Sequence, residues 1–395
     1  MSMALVPRLL VLAAVALLLF PAAASSGPPP GGIRIDDSNG RTTYLSRCSL
    51  LRRESSQWDC YVTRLLFDIE RSKDPANELP RIDRKVRAGG GYLETNCHML
   101  MHVVGRQYAR KHNVTLRNLQ GYLPRSNDPG CSAGFGMGMV MTLGGEIGRL
   151  GPDGAVKLCL EAPTRFRSYT CVHTLGHAYM RLYHSKLAFG VKACSALPAK
   201  HAPDCAQGAY HDYWLSIAGR DSTERPKSAV TSAQVLCARA QLRFVRPCWY
   251  RHYLELPPSK LPANAAGIRS LCAGLTGLQR GGCIGAASLI TSADPFQQLR
   301  ICTGLNAVDG VSCLYGVNVQ NLANARGIRR VLLIERCRKM IAGAREGCYE
   351  WFGTALAVVT NGRFRERACP FISKPGRNGC LAGARRMDEA LVTFS

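Results

Sequence analysis

The chemistry-bearing residues of this chain are its histidines, and they are crowded. All nine lie between His98 and His252, and the last 143 residues (395 − 252) hold none. Cys97-His98-Met-Leu-Met-His102 sets two imidazoles four residues apart, and Cys171-Val-His173-Thr-Leu-Gly-His177 does the same. On a helix, positions i and i+4 share a face, so each pair can offer two nitrogens to one metal ion. His184 continues the second stripe seven residues on, and Glu94 precedes His98 by four. In Cys205-Ala-Gln-Gly-Ala-Tyr-His211-Asp212, a third histidine stands at the same offset from its cysteine as His177. If these segments are equivalent parts of adjacent repeats, His98, His102, His173, His177 and His211 converge on one groove. The groove would suit a single divalent transition metal such as zinc, copper or iron, with Asp212 or Glu94 as an outer acceptor. The same spacing also suits imidazoles that merely pack between repeats and bond to backbone, so the sequence leaves two readings.

An enzyme built on these residues would be a metal-assisted hydrolase, with Glu94 or Asp212 as general base for a bound water. Most of the familiar catalytic signatures are missing: there is no H-E-x-x-H, P-loop or C-x-x-C-H. The expectation is therefore a non-enzymatic binding or scaffold protein, with the metal-dependent hydrolase as its rival.

The elements that would position the histidines announce themselves through cysteine. There are 18. Sixteen fall in short pairs: Cys48 with Cys60, Cys159 with Cys171, Cys194 with Cys205, Cys237 with Cys248, Cys272 with Cys283, Cys302 with Cys313, Cys337 with Cys348 and Cys369 with Cys380. Two of these spacings are 12 residues and six are 11, while Cys97 and Cys131 form a ninth pair across a longer insert. From Cys159 on, successive pairs start 30 to 43 residues apart, the period of a helical-hairpin solenoid. A helix-forming run precedes each first cysteine, as in Val331-Leu-Leu-Ile-Glu-Arg-Cys337. Turn residues then follow, often with glycine just before the second cysteine (Gly130, Gly282, Gly347, Gly379), and an apolar helix comes after it. Three positions into that helix stands a small residue, such as Gly134, Gly208 or Gly316, which would let a neighbouring helix come close. Apolar residues recur at three and four rather than two, which disfavours strands. The expected fold is all-α: about nine disulfide-stapled hairpins stacked into a right-handed α-solenoid. Pairing within hairpins is favoured by the regular spacing, and pairing between repeats stays open.

The ends and the charge complete the organisation. Arg8, the apolar run Leu9–Phe20 and the small residues Pro21–Ser26 read as a signal peptide over 1–24. Residues 25–47, rich in proline and glycine, read as a flexible leader. His-bearing repeats then span 48–255 and Arg-rich repeats 256–395, with a soft boundary at Leu256-Pro-Pro-Ser-Lys-Leu-Pro262. A secreted chain with no transmembrane segment after cleavage explains an even cysteine count better than metal-bound thiols would. The net charge is +24. Arg329, Arg330, Arg336, Arg338, Arg363, Arg365 and Arg367 would form a surface for an anionic polymer or protein partner, with nucleic acid the less favoured choice. Trp249, Tyr250, Tyr253 and Trp351 suit packing of helix faces better than stacking on sugars or bases. Asn113-Val-Thr115 is the one glycosylation sequon.

In architecture, the paired-cysteine hairpins resemble the cysteine-rich Sel1-like repeat proteins of bacteria, secreted solenoids of the TPR type, although the cysteine spacing here is longer. The segments Cys97-His98-x3-His102-x2-Gly105-Arg106 and Cys171-x-His173-x2-Gly176-His177 are similar to a group of uncharacterised exported proteins with C-H-x3-H and C-x-H-G-x-G-H motifs. Thr174 departs from that pattern, standing where glycine is usual. The similarity covers residues 90–215 and implies a recurring histidine pattern, with no activity attached.

Overall fold

The computed structural model describes residues 47–72, 74–89, 91–123, 131–160, 165–218, 233–254, 256, 260, 262–291, 295–314, 316–317, 334–359 and 369–385. The expected signal peptide and all of the leader except Arg47 lie outside them. Among the described residues the chain is helical, with no strand. Three long helices come first: α1 (Glu54–Arg71), α2 (Pro75–Gly89) and α3 (Gly91–Lys111). Then come α4 (Cys131–Thr142), α5 (Gly144–Leu160), α6 (Arg165–Leu182), α7 (Leu187–Ser195), α8 (Ala202–Ala218), α9 (Ala233–Ala238) and α10 (Leu242–Leu254). The C-terminal part continues with α11 (Ala265–Leu271), α12 (Gly277–Thr291), α13 (Pro295–Cys302), α14 (Ala307–Leu314), α15 (334–338), α16 (Ala342–Val359) and α17 (Lys374–Arg385).

One row of helices touches neighbour to neighbour: α3, α4, α6, α8, α10, α12, α14, α16 and α17. Short helices flank the row, α7 on α8, α9 on α10, α11 on α12 and α13 on α14. This is the stacked-hairpin solenoid that the cysteine period implies.

The disulfides settle the pairing left open by the sequence, because every bond joins neighbouring cysteines and none links distant repeats. In the first part Cys48 bonds to Cys60, Cys97 to Cys131, Cys159 to Cys171, Cys194 to Cys205 and Cys237 to Cys248. In the second part Cys272 bonds to Cys283, Cys302 to Cys313, Cys337 to Cys348 and Cys369 to Cys380. Their Cα–Cα separations run from 5.2 to 5.9 Å, and no free cysteine remains. Each short loop of about a dozen residues contributes roughly 3 kcal/mol in the chain-entropy model. Nine disulfides belong to an oxidising compartment. No described helix is long and apolar enough to cross a membrane.

The hairpin differs from the sequence expectation in one respect. Except for Cys131, the first residue of α4, the second cysteine does not open its helix. Cys60 lies inside α1 and Cys313 near the end of α14. Cys248, Cys283, Cys348 and Cys380 each lie one to two turns inside α10, α12, α16 and α17. The glycines preceding Cys283, Cys348 and Cys380 are therefore helical, not turn residues. A Cβ on Gly282 would stand 2.7 Å from the Arg246 carbonyl oxygen, so glycine is needed there for close helix approach. The helix α8 runs to Ala218, and residues 219–232 lie outside the described residues.

The core falls into two clusters. One runs from Cys48 to Trp249 and the other from Ile268 to Cys380, with Tyr253 and Leu275 packed against both. Trp249, Tyr250 and Trp351 are buried in helix packing. The first cluster positions the histidines through glycine. A Cβ on Gly134 or Gly138 of α4 would overlap the carbonyl oxygens of His98 or His102 on α3. A Cβ on Gly208 of α8 would overlap the carbonyl of His173 on α6, and one on Gly176 the carbonyl of Cys205. Helices this close bring side chains from adjacent backbones to a common point. Asp83 of α2 completes the support by accepting hydrogen bonds from the Ser132 backbone N–H and hydroxyl at the start of α4, where a carboxylate also favours the helix dipole.

Candidate metal centre

Five histidines meet where α3, α6 and α8 pass one another. His102 and His177 are fully shielded from solvent, His173 and His211 are 3 and 8 % exposed, and His98 is half-buried. The Nε2 atoms of His173 and His177 lie 3.3 Å apart. His211 Nδ1 is 3.5 Å from His173 Nε2. One nitrogen from each of these three rings lies within 4.8 Å of the other two. A tetrahedral ion with metal–nitrogen bonds of 2.0–2.1 Å separates its ligands by about 3.3–3.4 Å, so the His173–His177 and His173–His211 distances suit two edges of a coordination face. His98 and His102 form a second pair, their Nε2 atoms 3.1 Å apart. The His102 ring stands edge-on to His177 with centroids 5.5 Å apart.

Asp212 lies behind the triad. Its Oδ1 is 3.3 Å from His177 Nδ1 and 3.2 Å from Arg181 Nη2. With the carboxylate accepting a hydrogen bond from the His177 Nδ1–H, the Nε2 lone pair faces His173, the arrangement that orients a metal-binding imidazole. Burial alone would raise the Asp212 carboxyl, but the His177 hydrogen bond and the Arg181 charge outweigh it and hold its pKa below the ordinary 3.8. The imidazoles of His102, His173 and His211 are pushed well below 6.5, first by burial. Neighbouring positive charge adds to this, His98 and Arg106 acting on His102, and Arg251 acting on His173 and His211. Rings held neutral keep the lone pairs that a metal ion needs.

The structure therefore brings together all five expected ligands and places Asp212 as a support for His177. The side chain of Glu94 lies outside the described residues. His184 leaves the stripe: α6 ends at Leu182, and His184 is exposed with φ at 50°. His112 stacks on Tyr108, and His252 lies against Trp214 and Trp249. The sequence reading missed the roles of Arg106, Arg181 and Arg251, and of Gln207, whose Oε1 accepts from Arg251 at 3.0 Å. A signal for two of them was present. Arg106 follows His102 by four residues and Arg181 follows His177 by four, so both helices carry the stripe His-x3-His-x3-Arg.

Of the seven arginines expected to face an anionic partner, Arg329, Arg330, Arg363, Arg365 and Arg367 lie outside the described residues. Arg336 is half-buried, and the exposed Arg338 pairs with Glu335 at 2.8 Å, a surface contact worth little.

The class defined by these features is an all-helical, disulfide-stapled repeat protein with a buried imidazole cluster. In comparisons with known proteins the chain matches no family model, no curated protein and no solved structure.

Proposed function

We propose that this is an extracytoplasmic metal-binding repeat protein, whose helical array is a scaffold for one divalent transition metal held by His173, His177 and His211. The supporting observation is the buried triad itself: three imidazole nitrogens within 4.8 Å, with His177 aimed by Asp212. Neutral nitrogen donors favour zinc, copper or iron over calcium or magnesium. On this reading the basic surface of the chain, net +24, meets an anionic polymer or a protein partner.

The hydrolase alternative has less support. It needs a general base facing a metal-bound water, and Asp212 is already committed to His177 and Arg181. The deep burial of four of the five rings suits a retained ion better than a turnover site.

The test is elemental analysis by plasma mass spectrometry on untagged protein purified from its native compartment. Close to one zinc, copper or iron per chain is expected, lost in the His173→Ala/His177→Ala variant. A chain that folds and carries no such metal would overturn the reading.

A further inference from the structure

The triad leaves two imidazoles over. Among the described residues, His173, His177 and His211 are the group whose ligand atoms share one point, and neither His98 nor His102 belongs to it. Yet the His98 and His102 Nε2 atoms, one helical turn apart on α3, face each other at 3.1 Å. That is within a few tenths of an ångström of the edge between two ligands on one ion. The pair is not remote, because the His102 ring is 5.5 Å from that of His177. The pair is also held in place. Gly134 and Gly138 seat the turn that carries both rings against α4. Its surroundings differ from those of the triad. His98 is half-buried where the triad is closed, so this position is the one open toward solvent.

We infer that the His98–His102 pair is a second transition-metal position adjoining the first, so that the pocket is a two-metal centre with a closed three-imidazole half and an open two-imidazole half. Two protein ligands leave coordination positions free, and these are completed by water or a small anion entering past His98. Arg106, the next residue of the stripe, supplies positive charge beside His102 for such an anion. The competing account of the 3.1 Å contact is a direct N–H···N hydrogen bond between the two rings, which involves no ion. This inference rests on the metal-binding reading above, and metal stoichiometry separates the two.

The experiment is titration of cobalt(II) into the metal-free full-length chain. Bound cobalt per chain is measured by mass spectrometry, and the coordination is followed by visible ligand-field absorption. Two cobalt ions per wild-type chain are expected, falling to one in His98→Ala and in His98→Ala/His102→Ala, with the absorption of the tighter ion unchanged. His98 is half-buried, so its single variant is the one expected to keep the wild-type fold, checked by circular dichroism and melting. One cobalt per wild-type chain would overturn the second position and leave the triad reading intact. Two cobalt ions retained in a folded His98→Ala chain would place the second ion elsewhere and equally overturn it. No bound cobalt at all would overturn both.

Discussion

Hairpins of the same build stand on both sides of residue 255, and they bury different things. In the first part the interface between row helices carries His102, His173, His177, His211, Gln207 and Asp212, all with exposure below 9 %. In the second part its best-defined buried polar group is Asp309, and that group is satisfied locally. Arg280 donates to both its oxygens at 2.8 and 2.7 Å, and Asn306 caps its backbone N–H at 2.9 Å. The contrast shows most clearly six residues after each second cysteine. That position is histidine in the two central row helices (His177, His211), but Met137, Leu254 and Leu289 in their neighbours. Across these five row helices one register thus holds methionine, leucine or imidazole. An apolar side chain there needs no partner. A buried imidazole does: Asp212 lies within hydrogen-bond distance of His177, and Gln207 hydrogen-bonds to His173.

The glycine contacts separate the two parts most sharply. Gly208→Val drives a side chain into the α6 backbone, and Gly316→Val drives one into the carbonyl of Gly285. Each is expected to cost more than about 4 kcal/mol, the range of severe core disruption. Only Gly208→Val should abolish metal retention, which melting curves with paired elemental analysis will show. Next come the disulfides. Replacing Cys194 and Cys205 by serine, or Cys302 and Cys313 by serine, opens a loop with a sequence separation of 11 in each case. Each double variant should lose roughly 3 kcal/mol in urea unfolding. Equal losses mean that the two parts share one stapling device, and a chelator should lower the melting temperature further only while the histidine pocket is intact. A smaller effect is expected from Asp212→Asn. It removes the acceptor that fixes the His177 tautomer and should weaken metal binding about 10- to 100-fold. Asp309→Asn, measured in the same competition titration, should leave affinity unchanged.

Acid gives the gentlest test. His102, His173 and His211 have pKa values lowered by burial, so below their ordinary 6.5 the unfolded chain takes up protons that the folded chain refuses. Stability of the metal-free chain should therefore be full above about pH 6.5 and decline as pH falls below it. A variant with His173→Gln and His211→Gln should flatten that decline in pH-resolved denaturation.

Much of this was legible in the residues. The cysteine period implied the hairpins and the order of the row, because a disulfide constrains chain geometry directly. The i, i+4 histidine pairs implied the pocket, because helix periodicity alone places both rings on one face. Two kinds of information were harder to read. Gly282, Gly347 and Gly379 looked like turns because glycine serves turns and close helix contacts equally well, and only the neighbouring backbone distinguishes them. The division of five histidines into three and two depends on how α3 and α6 pass one another, which no spacing within either helix encodes.

The central claim is that the triad nitrogens bind an ion, and X-ray absorption at the metal edge of natively purified protein tests it most directly. The expected result is a nitrogen-dominated first shell at about 2.0–2.1 Å with the outer-shell scattering of at least three imidazoles. A folded chain with no metal edge, or with a first shell of oxygen and no imidazole scattering, would contradict it.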